Sequence, residues 1–172
     1  MQRLNLALLF LSLPAIADSM SFDSPYGTFV ITEDQSSMER TFKFNNNYLG
    51  SSDSYVQIEA TRLSNPDEEH KSIILLKGFT GGSGCESELS IVTIKEEGVF
   101  FSPSLLTCGG VHDVFIKDGY VVVEADEDRD NKIKVTYTVL DSSVSKNGLP
   151  MKEPNAFIMY RTLSGKRINN TV

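Results

Sequence analysis

Apolar and polar side chains alternate with a period of two along most of this chain, which is the spacing of half-buried β-strands. Gly27 to Thr32 and Arg40 to Phe44 read as strands, the second setting Phe42 and Phe44 around Lys43. Tyr55 to Arg62 alternates too: Val56, Ile58 and Ala60 are expected on the core side, with Tyr55, Gln57, Glu59 and Thr61 on the other. Ser72 to Leu76 is a nearly continuous apolar run, as expected of a central strand. Ser87 to Ile94 and Val99 to Ser102 form the next pair, followed by Val114 to Ile116 and Tyr120 to Glu124 around Lys117-Asp118-Gly119. Asp-Gly between two apolar runs is a strong hairpin signal. Lys132 to Leu140 places Ile133, Val135, Tyr137 and Val139 on one face, and Ala156 to Thr162 supplies a closing strand.

Turn chemistry separates these runs at Asn45-Asn46-Asn47, Ser51 to Ser54, Ser64 to Glu69, Gly78 to Gly84 and Asn147-Gly148. No window carries a helical period with caps, no internal repeat is evident, and no linker is long enough to divide two domains. The pattern predicts an all-β fold: a single domain over residues 18–172, built as an antiparallel β-sandwich or barrel of about 8–10 short strands.

The N-terminus has a different character. Arg3 precedes the apolar stretch Leu4 to Leu13, Pro14 breaks it, and Ala15-Ile16-Ala17 provides the small-x-small pattern of a secretory cleavage site. The stretch is too short for a membrane-spanning helix, which needs about 20 residues. Residues 1–17 therefore read as a signal peptide, with the mature chain starting at Asp18 and no later membrane span.

Export changes the meaning of Cys85 and Cys108, the only two cysteines. They stand symmetrically about Glu96-Glu97, so a hairpin turning there brings them face to face. Directly opposite strand residues have Cβ atoms about 4.5–5.5 Å apart, and a disulfide needs about 3.8 Å. In an oxidising compartment, the periplasm or the medium, such a pair forms a structural disulfide. Pro103, which cannot donate to a ladder, is expected to bulge the returning strand. The segment Ser102, Pro103, Ser104, Leu105, Leu106 and Thr107 then becomes a clamped surface loop and the candidate partner-binding element.

Charge narrows the partners. The whole chain carries 16 basic and 23 acidic residues, a net charge of −7, and loss of Arg3 with the signal peptide makes the mature chain −8. This balance excludes nucleic acid and anionic lipid surfaces, which demand clustered Lys and Arg, and suits a cationic partner.

The glycine-rich stretch Thr80-Gly81-Gly82-Ser83-Gly84-Cys85 matches neither a phosphate-binding loop nor a nucleophile elbow, because no Gly-Lys-Ser/Thr and no helix follows. Together with Ser102-Pro103 and Thr107-Cys108 it resembles a pattern in small secreted bacterial β-proteins, most of them uncharacterised. The resemblance spans Leu76 to Ile116, with Gly109-Gly110 departing from the polar residue such proteins carry after the second cysteine. It implies a β fold and an extracytoplasmic compartment, and brings no catalytic residues.

No catalytic set, metal site or cofactor is expected. His112 precedes Asp113, whose side chain points to the opposite face of a strand and so cannot orient it. His70 follows the acidic Asp67-Glu68-Glu69. Asp126, Asp128 and Asp130 have the spacing of a calcium loop, yet Asn131 stands at the glycine position and Tyr137 at the bidentate glutamate position, so a solvated tip is expected. The functional expectation is an exported, periplasmic protein-binding module, an inhibitor or immunity protein against a cell-wall hydrolase or secreted effector. The second expectation is a small-molecule or glycan-binding domain using exposed Tyr48, Tyr55 and Tyr120.

Overall fold

The computed structural model describes residues 19–34, 37–63, 70–130 and 132–151, with two short paired strands at Tyr160–Arg161 and Arg167–Ile168. The expected signal peptide 1–17, the expected turn at residues 64–69 and the expected closing strand 156–162, except for Tyr160–Arg161, lie outside the described residues.

Each sheet is an antiparallel meander built from one contiguous stretch. The first sheet runs β1 (Ser19–Ser24), β2 (Gly27–Asp34), β3 (Glu39–Phe44) and β4 (Asn47–Ser52). The second comprises β5 (Gln57–Leu63), β6 (Ser72–Phe79), β7 (Ser87–Lys95) and β8 (Gly98–Phe101), with β9 (Leu105–Leu106) also on β7. The third runs β10 (Gly110–Lys117), β11 (Tyr120–Asp126), β12 (Lys134–Leu140), β13 (Ser143–Lys146) and β14 (Leu149–Pro150). Short hairpins connect most neighbours because Asn, Asp and Gly accept positive φ: Asn45 and Asn46 (48° and 64°), Asp118 and Gly119 (51° and 79°), Asn147 and Gly148 (50° and 79°).

The fold is all-β and sandwich-like rather than a closed barrel, with one more layer than a simple sandwich. Phe29, Ile31 and Phe42 of the first sheet pack on Ile58, Ile74, Leu76, Val92 and Ile94 of the second. The opposite face of that second sheet, through Ile73, Leu89, Ile91 and Leu105, packs on Val121, Val123, Val135, Tyr137 and Val139 of the third. The second sheet is therefore central and covered on both sides. That is why no position of β6 or β7 is exposed, while burial alternates along most of β11 and β12. In the first core Phe29, Phe42 and Phe101 meet with ring centroids 5.9–6.3 Å apart, within the range where aromatic pairs attract beyond their area.

Several expectations change. More strands form than the 8–10 expected: β1, β4, β9, β13 and β14 add to the runs that the apolar pattern marks. Ser51 and Ser52, placed in a turn by their chemistry, end β4 and are buried. The alternation of Tyr55 to Arg62 breaks at its start: Tyr55 is 4% exposed and Val56 51%. The ladder begins only at Gln57, and the buried Arg40 guanidinium holds the Tyr55 and Val56 carbonyls, turning Tyr55 inward. The Tyr55 ring lies over Gly78, where an added Cβ would sit 2.5 Å from ring carbon Cδ1. Ile133 stands just before β12 and is exposed, unlike Val135, Tyr137 and Val139.

Candidate functional site

The disulfide closes one end of the molecule. β7 and β8 turn at Glu96-Glu97, with Lys95 opposite Gly98 and Val92 opposite Phe101. Beyond that point Leu89 faces Leu105, so three steps along β7 match four on the return. The extra residue falls in the stretch holding Pro103, whose missing N–H interrupts the ladder. Cys85 and Cys108 are bonded with Cα atoms 4.4 Å apart. The bond fits an oxidising compartment and gives no catalytic role to either sulfur.

The clamped segment does not protrude. Ser102, Ser104, Leu105 and Thr107 are buried, leaving only Pro103 and Leu106 partly exposed. Ser102 Oγ accepts the Ile91 N–H at 2.9 Å, replacing a bond the interrupted ladder cannot make. Ser104 donates to Glu88, which also accepts from the Tyr55 hydroxyl at 2.9 Å. Thr107 Oγ1 donates to the Ser87 carbonyl, and the Tyr137 hydroxyl donates to the Leu106 carbonyl at 3.0 Å. Burial pushes Tyr137 up to about 12, and burial with the Glu88 charge raises Tyr55 further. Polar residues at 102, 104 and 107 thus serve the inside of the fold, and the expectation of an inserted loop is corrected. Sequence could not reveal this, because serine and threonine are equally common in solvated turns and as partners for interrupted backbone.

What stands outside at this end is charged: the carboxylates of Asp113, Glu124, Asp128 and Asp130 lie near the exposed Arg129, Lys132 and Lys134. Gly109 N–H donates to the Asp126 carbonyl at 2.8 Å, joining the second cysteine to the end of β11. Arg129 donates to the Ser83 carbonyl at 2.6 Å, tying the acidic tip to the glycine-rich turn. Asp128 Oδ1 accepts the Asp130 N–H at 2.9 Å. Asp126, Asp128 and Asp130 do not converge: among the described residues no three His, Cys, Asp or Glu side chains gather as a metal site.

Asp126 instead turns to His112. Their Nε2 and Oδ1 atoms are 3.1 Å apart, the imidazole half exposed and the carboxylate buried. The contact is an ion pair when the imidazole is protonated, but it is not aligned as a hydrogen bond, so Oδ1 has no hydrogen-bond partner. A bulge creates it. Val111 faces Ala125 and Asp113 faces Glu124, so His112 is the extra residue on β10. Asp113 bonds its own neighbour, the Val114 N–H, at 2.8 Å. The approach of residues 112 and 126 could not be read from strand alternation, because the bulge resets it.

The three tyrosines of the ligand-binding expectation do not meet. Tyr48 and Tyr120 are exposed on opposite outer sheets, and Tyr55 is in the core. Among the described residues no helix is long and apolar enough to cross a membrane. Fold and site together define a disulfide-clamped, three-layer β-sandwich with a charged end. A scan against protein-family models and searches of curated proteins and of solved structures find no match to this chain.

Proposed function

We propose that this chain is an exported, periplasmic or secreted binding module for a basic protein partner, with a cell-wall hydrolase or secreted effector as the class its charge suits. The observation that carries the reading is the rim of carboxylates at the clamped end. Asp113, Glu124, Asp128 and Asp130 come from β10, β11 and the tip beyond it, held in place by Cys85–Cys108 and the Arg129–Ser83 bond. A rim that is already ordered loses little entropy on binding. Its negative field accelerates encounter with a cationic surface, an effect that salt weakens. The net charge of −7 acts in the same sense.

The test uses the mature, oxidised protein and a basic lysozyme-class hydrolase. Calorimetry is expected to show one-to-one binding that weakens from 50 to 300 mM salt, with slower lysis of isolated cell walls. No binding to a panel of basic hydrolases, together with unchanged lysis, refutes the reading.

A further inference from the structure

The sandwich has two outer faces, and they differ. On the first sheet, Ser21, Thr28, Thr32, Thr41 and Lys43 alternate with the inward Phe22, Phe29, Ile31 and Phe42, and Asp23 accepts from the Thr28 hydroxyl. Val30 and Tyr48 stand among these polar residues, so this face is mostly polar. On the third sheet Val121, Val123 and Ala125 point into the core, which turns Tyr120, Val122 and Glu124 outward. Phe115 lies directly opposite Val122, and Val122 opposite Thr138. Tyr120 and Leu140, just beyond the Val121–Val139 pair, are 41% and 42% exposed. Phe115, Tyr120, Val122 and Leu140 thus form one apolar, partly aromatic patch on the solvent side, the composition of an interface centre.

The next position along the same face is acidic. Asp113 stands directly opposite Glu124, a like-charge pairing that destabilises a ladder. Neither carboxylate has a cationic partner among the described residues; Lys134 lies only diagonal to Glu124, and Lys117 is at the far end beside Tyr120.

We propose that this face docks an extended segment of a partner protein with the pattern cation-x-apolar-x-apolar. Outward positions 124, 122 and 120 are two residues apart, about 6.8 Å per step, the repeat of a strand laid along β11. The lysine or arginine meets Asp113 and Glu124, supplying the missing charge, and the apolar side chains cover Val122, Phe115 and Tyr120. A second copy of this chain is disfavoured as occupant, because its own net charge of −7 opposes self-association. This inference rests on the proposed binding function and names the surface that carries it.

The probe is a ten-residue peptide alternating threonine with lysine, phenylalanine and valine, titrated into the isotopically labelled mature protein and followed by NMR. The expected result is saturable shifts centred on Asp113, Phe115, Tyr120, Val122, Glu124 and Leu140. The double variant Asp113→Asn/Glu124→Gln, which removes a repulsion and so folds, is expected to weaken binding about tenfold. The charge-matched control Glu96→Gln/Glu97→Gln at the opposite hairpin is expected to leave it unchanged. No saturable binding, shifts centred elsewhere, equal weakening by both variants, or a dimer formed through this face overturns the inference. Hydrolase binding that leaves this face unshifted overturns the inference but not the proposed function. Peptide binding here without hydrolase binding supports the inference and overturns the hydrolase reading.

Discussion

Gly78→Ala is the sharpest test of how the first core is assembled. A Cβ at position 78 would lie 2.5 Å from Tyr55 Cδ1 and 2.7 Å from both Cε1 and Cγ. Ordinary carbon contacts begin near 3.5 Å, so the ring or β6 must move by about 1 Å. The ring has little room: it is buried among Ile58, Leu76 and Val92, its hydroxyl is held by Glu88, and its carbonyl is held by Arg40. Overpacking of this kind costs about 1–3 kcal/mol. Urea unfolding should show that loss as a lower midpoint with an unchanged slope. In a Tyr55→Phe background the ring remains and the cost of Gly78→Ala should persist. In a Tyr55→Ala background the obstacle is gone and the cost should fall below about 0.5 kcal/mol, a coupling measured by the double-mutant cycle. A Gly78→Ala variant as stable as the parent, or one whose penalty survives Tyr55→Ala, refutes the assigned contact.

Three further outcomes are expected. Reduction of the disulfide, or Cys85→Ser/Cys108→Ser, should lower stability by about 3 kcal/mol for a sequence separation of 23; an unmoved urea midpoint with reductant would show that the clamp adds nothing. His112→Ala leaves the buried Asp126 carboxylate facing no imidazole and should cost about 1 kcal/mol, a modest figure because the imidazole is half exposed. Asp126→Asn in that background should recover part of the loss, and no recovery would dismiss the pair. Tyr55 and Tyr137 ionise with more difficulty folded than unfolded, so their contribution is intact below the unfolded value of about 10 and is lost as pH rises above it, for Tyr137 through about 12. Alkaline titration followed by circular dichroism and absorbance at 295 nm should show the two rings ionising with unfolding, and Tyr137→Phe should retain a larger share of its neutral-pH stability at pH 11.5. An unchanged alkaline midpoint in that variant would count against it.

Sequence alone determined what depends on neighbours along the chain. Period two in Phe42 to Phe44 and in Val135 to Val139 marks strands, because alternate side chains must face opposite ways. Asp118-Gly119 and Asn147-Gly148 mark hairpins, because their backbones accept positive φ. Cys85 and Cys108 mark the two strands that the turn at Glu96-Glu97 brings together, and Pro103 marks the extra residue that shifts their register by one. Only the tertiary structure decided which faces are covered. Alternation separates two faces but does not say which is dry, so Tyr55 and Val56 exchanged places once Arg40 captured their carbonyls. The apolar run of β6 needed two covering sheets, whose number no local pattern carries. Ser102 to Thr107 turned inward because the broken ladder left polar backbone to satisfy. His112 reached Asp126 because one bulged residue shifted β10 against β11. These outcomes depend on contacts between residues far apart in the chain, where packing and backbone hydrogen bonding override local preference.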